Sequence, residues 1–113
     1  MKYNVYLLPE GAVRLPDFSR LKSVASGTSH ELTTAELTLP REDNVAVAFD
    51  GYLHIAAAGS YSFALASDDG SKLYIDGKQV VDNDGDHGVV MASGSIDLQP
   101  GKHAIRVEWF NGG

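Results

Sequence analysis

The chain predicts a single all-β domain, an antiparallel β-sandwich or barrel, from three observations. Apolar residues recur with a period of two, several short strands follow one another at a spacing of roughly 8 to 12 residues, and glycine-containing turn pairs punctuate them. With 113 residues, the chain is long enough for one core that buries about two thirds of its unfolded surface, and too short for a second. Helix content is expected to be low.

Residues 3–8 read as a first strand, and residues 9–29 as a long loop in which only 15–24 hint at a helical turn. The clearest strand follows. Val45, Val47, Phe49, Gly51, Leu53 and Ile55 share one face, while Ala46, Ala48, Asp50, Tyr52 and His54 share the other, the pattern of a half-buried strand. Gly51 inside it predicts a bulge or a close backbone contact. A turn at Ala58-Gly59 leads to a strand in which Tyr61, Phe63 and Leu65 alternate with Ser62, Ala64 and Ala66. Asp76-Gly77 separates Leu73-Tyr74-Ile75 from Lys78-Gln79-Val80-Val81, the two-residue spacing of a type I′ hairpin, in which both central residues take positive φ. Ser95–Leu98 and Ala104–Phe110 flank the turn pair Pro100-Gly101 and are expected to form another antiparallel pair.

Between two of these strands lies the most informative segment, Ser67-Asp68-Asp69-Gly70-Ser71. Neighbouring side chains on a regular strand point to opposite faces, so two adjacent carboxylates converge only if the backbone leaves strand geometry, and Gly70 gives it room to do so. Convergence would suit a small oxygen-rich ligand. A second acidic run, Asp82-Asn83-Asp84-Gly85-Asp86, lacks the bidentate twelfth-position glutamate and flanking helices of a helix-loop-helix calcium site, and is expected to be an exposed loop whose side chains satisfy local amides. His87 beside it is placed to line a ligand groove.

Composition removes several classes of function. Fifteen acidic against nine basic side chains give a formal charge of −6, which repels phosphate backbones and anionic lipid, so neither nucleic acid nor membrane is an expected partner. No cysteine is present, and His30, His54, His87 and His103 show no ligand spacing, which argues against zinc. No apolar run suits a transmembrane helix and the N-terminus lacks signal-peptide regions. No serine sits in a Gly-x-Ser-x-Gly elbow, and a small antiparallel domain offers Asp50, Asp76 or Glu108 little of the cleft that glycoside hydrolysis requires, so the chain is not expected to be an enzyme. Trp109 shares the parity of Ile105 and Val107 and is assigned to the core. Tyr52, Tyr74 and Phe110 lie on the opposite parity and are candidates for a binding face.

Five blocks now stand in order: Gly51-Tyr52-Leu53-His54-Ile55, Gly59-Ser60-Tyr61-Ser62-Phe63, the acidic bend, the Asp76-Gly77 hairpin, and the run from Gly101 through Phe110. Together they resemble the protective-antigen fourteen-kilodalton domain family, in its bacterial glycosidase-linked branch, over most of residues 45–113; Leu15-Pro16-Asp17-Phe18 fits that branch too. The resemblance implies a non-catalytic β-sandwich module that often binds carbohydrate, in a secreted or cell-envelope protein. In sugar-binding adhesin members, two consecutive aspartates joined by a cis peptide bond hold calcium, a later asparagine and backbone carbonyls complete its shell, and vicinal sugar hydroxyls bind the ion. Asp68 and Asp69 match that pair and Asn111 the asparagine.

These three are therefore the expected metal ligands, and with His87 and Tyr74 the expected carbohydrate-binding residues, calcium being the cofactor and a glycan the partner. An alternative stands beside this one: the aspartates stabilise a turn, and the domain is a structural or interaction accessory that packs on a catalytic domain without binding sugar. Only Gly112 and Gly113 follow Asn111, so the family's specificity loop and last strand are not found in this chain. The sheet edge left uncovered is expected to favour dimerisation.

Overall fold

The computed structural model describes residues 1–30, 37 and 39–112. Eight strands are found among them: β1 (Lys2–Leu7), β2 (Ala25–Thr28), β3 (Val45–Ile55), β4 (Gly59–Ser67), β5 (Ser71–Ile75), β6 (Lys78–Asn83), β7 (Val90–Leu98) and β8 (Gly101–Asn111), with one 3-10 turn at Phe18–Arg20. Six strands form a sheet in the order β2-β1-β3-β8-β5-β6, every neighbouring pair antiparallel, and β4-β7 form a second. The smaller sheet lies over β5 and β6. The all-β sandwich expected from the sequence is what the chain forms.

The inner face carries the main core. Val5, Val45, Val47, Phe49, Leu73, Ile75, Val81, Ile105 and Val107 are buried there, with Tyr61, Phe63 and Leu65 of β4 packed over them. The alternation read along β3 and β8 thus sorts core from surface. The hairpin is also as expected: Asp76 (φ 51°) and Gly77 (φ 80°) both take left-handed backbone, and Ile75 pairs directly with Lys78.

Four expectations are corrected. Residues 25–28, read as loop, form edge strand β2 on β1, where backbone pairing rather than apolar content makes the strand. The strands flanking Pro100-Gly101 do not pair with each other. Instead β7 pairs with β4 and β8 with β3 and β5, so the turn carries the chain from one sheet to the other. Gly51 causes no bulge, since the β3–β8 register runs unbroken from Val45↔Asn111 to Ile55↔Gly101, and it marks instead the close contact that is the other expectation, a Cβ there standing 3.0 Å from the Met1 side chain. Finally, Phe110 is not on an exposed face. The N-terminal loop folds over the outer surface at one end, and Leu8, Phe18, Ala46, Ala48 and Phe110 form a second small core beneath it. That cover makes β3 buried on both faces over Val45–Phe49, while the outer face beyond Asp50 stays open.

Candidate functional site

The acidic bend sits where β4 leaves the small sheet and β5 enters the large one. The peptide bond between Asp68 and Asp69 is cis, as the resemblance implies. The two residues differ sharply in exposure: Asp69 is buried and Asp68 faces solvent. The backbone of the bend is pinned to β8, with Asp69 N–H donating to the carbonyl of Phe110 and Phe110 N–H to that of Gly70, each at 3.0 Å. Gly112 N–H donates to Asp69 Oδ2 at 2.7 Å, and the indole N–H of Trp109 to the carbonyl of Asp68 at 2.9 Å.

Gly70 is required by packing. A Cβ there would stand 2.6 Å from the amide nitrogen of Gly85, 2.7 Å from the Phe110 ring and 2.8 Å from Asp84 Oδ1. Behind the bend, Ser67 Oγ donates to the carbonyl of Asp69 at 2.9 Å and lies 2.6 Å from Ser71 Oγ. The buried amide of Asn83 donates to the carbonyl of Val90 at 2.8 Å, with longer contacts at 3.3 Å to Leu65 O and Ser67 Oγ. Asn83 therefore ties β4, β6, β7 and the bend together. Sequence reading placed it in an exposed acidic run, and only its position at the end of an alternating strand could have marked it as buried.

Asp82, at the end of β6, and Asp84 are engaged with backbone. Asp82 accepts from Asp84 N–H at 3.1 Å, and Asp84 Oδ1 accepts from Leu15 N–H at 2.7 Å and from Gly85 N–H at 2.8 Å, which clips the N-terminal loop to this end of the sandwich. The loop acts as a brace, in line with the expectation that its side chains satisfy amides.

Electrostatically the bend is crowded with negative charge. Partial desolvation, a hydrogen bond to Asp69 and the charge of Asp69 all raise the Asp68 carboxyl above its ordinary value, with the nearby His87 charge opposing them. Both His87 ring nitrogens face carbonyls, Nδ1 that of Gly88 at 2.7 Å and Nε2 that of Asn83 at 2.8 Å. These carbonyls, followed by the charges of Asp69 and Asp68, raise the imidazole above its ordinary value.

Of the five residues expected at the site, the structure gathers Asp68, Asp69 and His87 and brings the Asn111–Gly112 segment against them. The amide nitrogen of Asn111 donates to the carbonyl of Glu42 at 2.9 Å. Tyr74 lies elsewhere, on the open outer face beside Tyr52 and Arg106. The aromatic residue at the bend is Trp109, half-buried and packed against the main core as its parity implies. Among the described residues no three histidine or acidic side chains are placed so that together they could hold a metal ion. A cation at the bend would take two carboxylates and complete its shell from amide and carbonyl oxygens, a donor set that suits calcium.

The family model of the PA14 domain matches residues 23–113. The chain belongs to the PA14 domain family. Among solved structures, it is similar to the PA14 domain of the MpAFP antifreeze protein, with a TM-score of 0.75 and 21% identity over 99% of this chain and 74% of that one. It is also similar to an anti-sigma factor domain-containing protein from Clostridium clariflavum, with a TM-score of 0.69 and 18% identity over 97% of this chain and 36% of that one. At such identities these two likenesses speak for the fold alone. A GH31 alpha-xylosidase from Xanthomonas citri is 34% identical over 57% of the PA14 domain and 7% of the xylosidase, with a TM-score of 0.50. None of the curated proteins matches the chain.

Proposed function

We infer that this PA14 domain is a non-catalytic carbohydrate-binding module of a larger, secreted or cell-envelope, glycan-active protein, and that its ligand meets a calcium ion at the Asp68–Asp69 bend. The observation that carries the reading is the pair of adjacent carboxylates held at one bend, where desolvation, followed by a hydrogen bond to Asp69 and then its charge, raises the proton affinity of Asp68. A divalent cation relieves such repulsion. Asp68, Asp69 and Asn111 would hold the ion, and calcium, which takes six to eight oxygens at flexible geometry, supplies coordination positions for vicinal hydroxyls.

The protein's own residues prepare the place. Asp69 is fixed by the Gly112 amide, Trp109 anchors the Asp68 carbonyl, and His87 offers its ring rather than a ring nitrogen, since both nitrogens face carbonyls. Calcium titration by calorimetry, followed by a glycan array with and without chelator, tests the reading. Chelator-sensitive glycan binding lost in Asp69→Ala is expected; absence of calcium binding overturns it.

The likeness to a segment of a xylosidase favours a second reading, in which the domain packs on a catalytic domain and binds no sugar. Among the described residues the edge of β4 away from β7 pairs with no strand, whereas β7 lies against β6, so the β4 edge is the surface proposed for self-association or for packing on a parent protein. An array empty in both conditions supports this second reading.

A further inference from the structure

The outer face of the six-stranded sheet, left open where the N-terminal loop ends, holds a groove of about 990 Å³ at the opposite parity from the core. Tyr52 on β3 and Tyr74 on β5 flank it, two strands apart and therefore about 10 Å from each other across the sheet. Between them β8 presents Ala104, paired with Tyr52, and Arg106, paired with both Asp50 and Tyr74. The small alanine makes a floor between two aromatic walls.

The polar groups in this groove form an ordered fork. Arg106 Nη1 donates to Asp50 Oδ2 at 2.8 Å and its Nε to Glu108 Oε2 at 2.9 Å. Among the described residues Nη2, Asp50 Oδ1 and Glu108 Oε1 make no hydrogen bond, and all three side chains line the groove, so acceptor, donor and acceptor groups are available there. Tyr52 remains 63% exposed, with Lys102 Nζ 3.9 Å from its ring centroid. Burial, followed by the charges of Glu108 and Asp82, raises the Tyr74 phenol above its ordinary value, so its hydroxyl stays protonated near neutral pH.

We propose that this groove is a second carbohydrate subsite, independent of calcium, in which Tyr52 and Tyr74 pack on the faces of a neutral sugar ring while Asp50, Arg106 and Glu108 bind its vicinal hydroxyls. The chemistry selects the class of ligand. A hydroxyl is both donor and acceptor, so a vicinal diol can donate to a carboxylate and accept from the guanidinium beside it, whereas a phosphate or carboxylate ligand would meet Asp50 and Glu108 as like charges. The aliphatic faces of a pyranose supply the apolar contact that flat aromatic rings offer at small entropic cost. This inference shares with the proposed function only the class of ligand, and it stands without the bend.

The test is an array of neutral gluco-, galacto-, manno- and xylo-oligosaccharides probed with and without chelator, with the intact chain and with Tyr52→Ala, Tyr74→Ala and Arg106→Lys. Chelator-resistant binding is expected, weakened at least about tenfold by either tyrosine substitution and by Arg106→Lys. Tyr52 is exposed enough that its variant should melt at the wild-type temperature, which separates lost binding from lost fold. Absence of chelator-resistant binding overturns the proposal, as does such binding undiminished in both tyrosine variants. Because calcium-dependent binding is read in the chelator-free arm, failure of this subsite and failure of the bend are distinct results.

Discussion

Asp69 Oδ2 accepts the backbone N–H of Gly112 at 2.7 Å, so a buried carboxylate on the bend and the end of the chain's last strand are one unit. Its neighbour Asp68 has the opposite character, exposed and charged against repulsion. The two aspartates should therefore respond differently to substitution.

Asp69→Ala removes a hydrogen-bonded buried carboxylate and leaves a partly buried amide without its acceptor, which costs about 1–3 kcal/mol of stability. Asp68→Asn should leave chelator-treated stability unchanged or raised, because a neutral amide relieves the repulsion from Asp69. Urea denaturation in chelator measures both, and calorimetry should show calcium binding lost in each variant. A loss of stability in Asp68→Asn equal to that in Asp69→Ala would contradict the division of roles.

Gly70→Ala places a methyl group against the Gly85 amide nitrogen, the Phe110 ring and Asp84 Oδ1, all within 3 Å. All three belong to other segments that brace the bend, Phe110 to β8 and Asp84 and Gly85 to the loop after β6, so they cannot all withdraw. Overpacking of this kind costs about 1–3 kcal/mol. The midpoint of denaturation should fall accordingly, and calcium affinity with it, because the methyl pushes the bend off β8.

Much of this architecture could be read along the chain. The Asp76-Gly77 pair fixes its hairpin through two positive φ angles, and the parity of Val45, Val47 and Phe49 identifies the core because a strand offers only two faces. Parity does not say what covers the second face. Phe110 and Tyr74 both lie on the outer side, yet the loop carrying Phe18 covers one and leaves the other open. Nor does a turn between two alternating strands reveal whether they pair, which is why β7 and β8 looked like neighbours. At the site, the bend at Asp68-Asp69 was legible in Gly70 and its cis linkage in the resemblance, whereas the bracing amide of Asn83 depends on contacts with Leu65 and Val90 on other strands.

Phe110→Ala tests the covering loop. The side chain is fully buried among Leu8, Phe18, Ala46 and Ala48, and truncation of such a ring costs about 3–5 kcal/mol. Because Phe110 also bounds Gly70, the loss should be accompanied by faster amide hydrogen exchange at residues 69 and 70, while exchange in the β3–β1 pairing at Val5 and Val47 changes least. Uniform loss of protection across the sheet would mean that this second core is not a separable layer.

The Asp76–His103 contact gives a pH-dependent term at the opposite end of the sandwich. His103 Nδ1 lies 2.6 Å from Asp76 Oδ2 and its Nε2 lies 2.7 Å from the carbonyl of Gln99, while Asp76 Oδ1 accepts from Ala104 N–H at 3.0 Å. The hydrogen bond to Asp76, then that to Gln99, raises the imidazole above its ordinary 6.5, and the bond to His103 chiefly lowers the Asp76 carboxyl below its ordinary 3.8. A raised histidine contributes stability that is complete below 6.5 and lost as pH rises through its folded value; a lowered aspartate contributes stability that is complete above 3.8 and lost as pH falls through its folded value. The contact is therefore strongest between about 3.8 and 6.5. His103→Gln keeps a side chain of similar reach but carries no charge, so the melting temperatures of the two proteins should differ most between about pH 3.8 and 6.5 and converge as pH rises through the raised value of the histidine. A gap that stays constant across this range would assign the role of His103 to packing rather than to its charge.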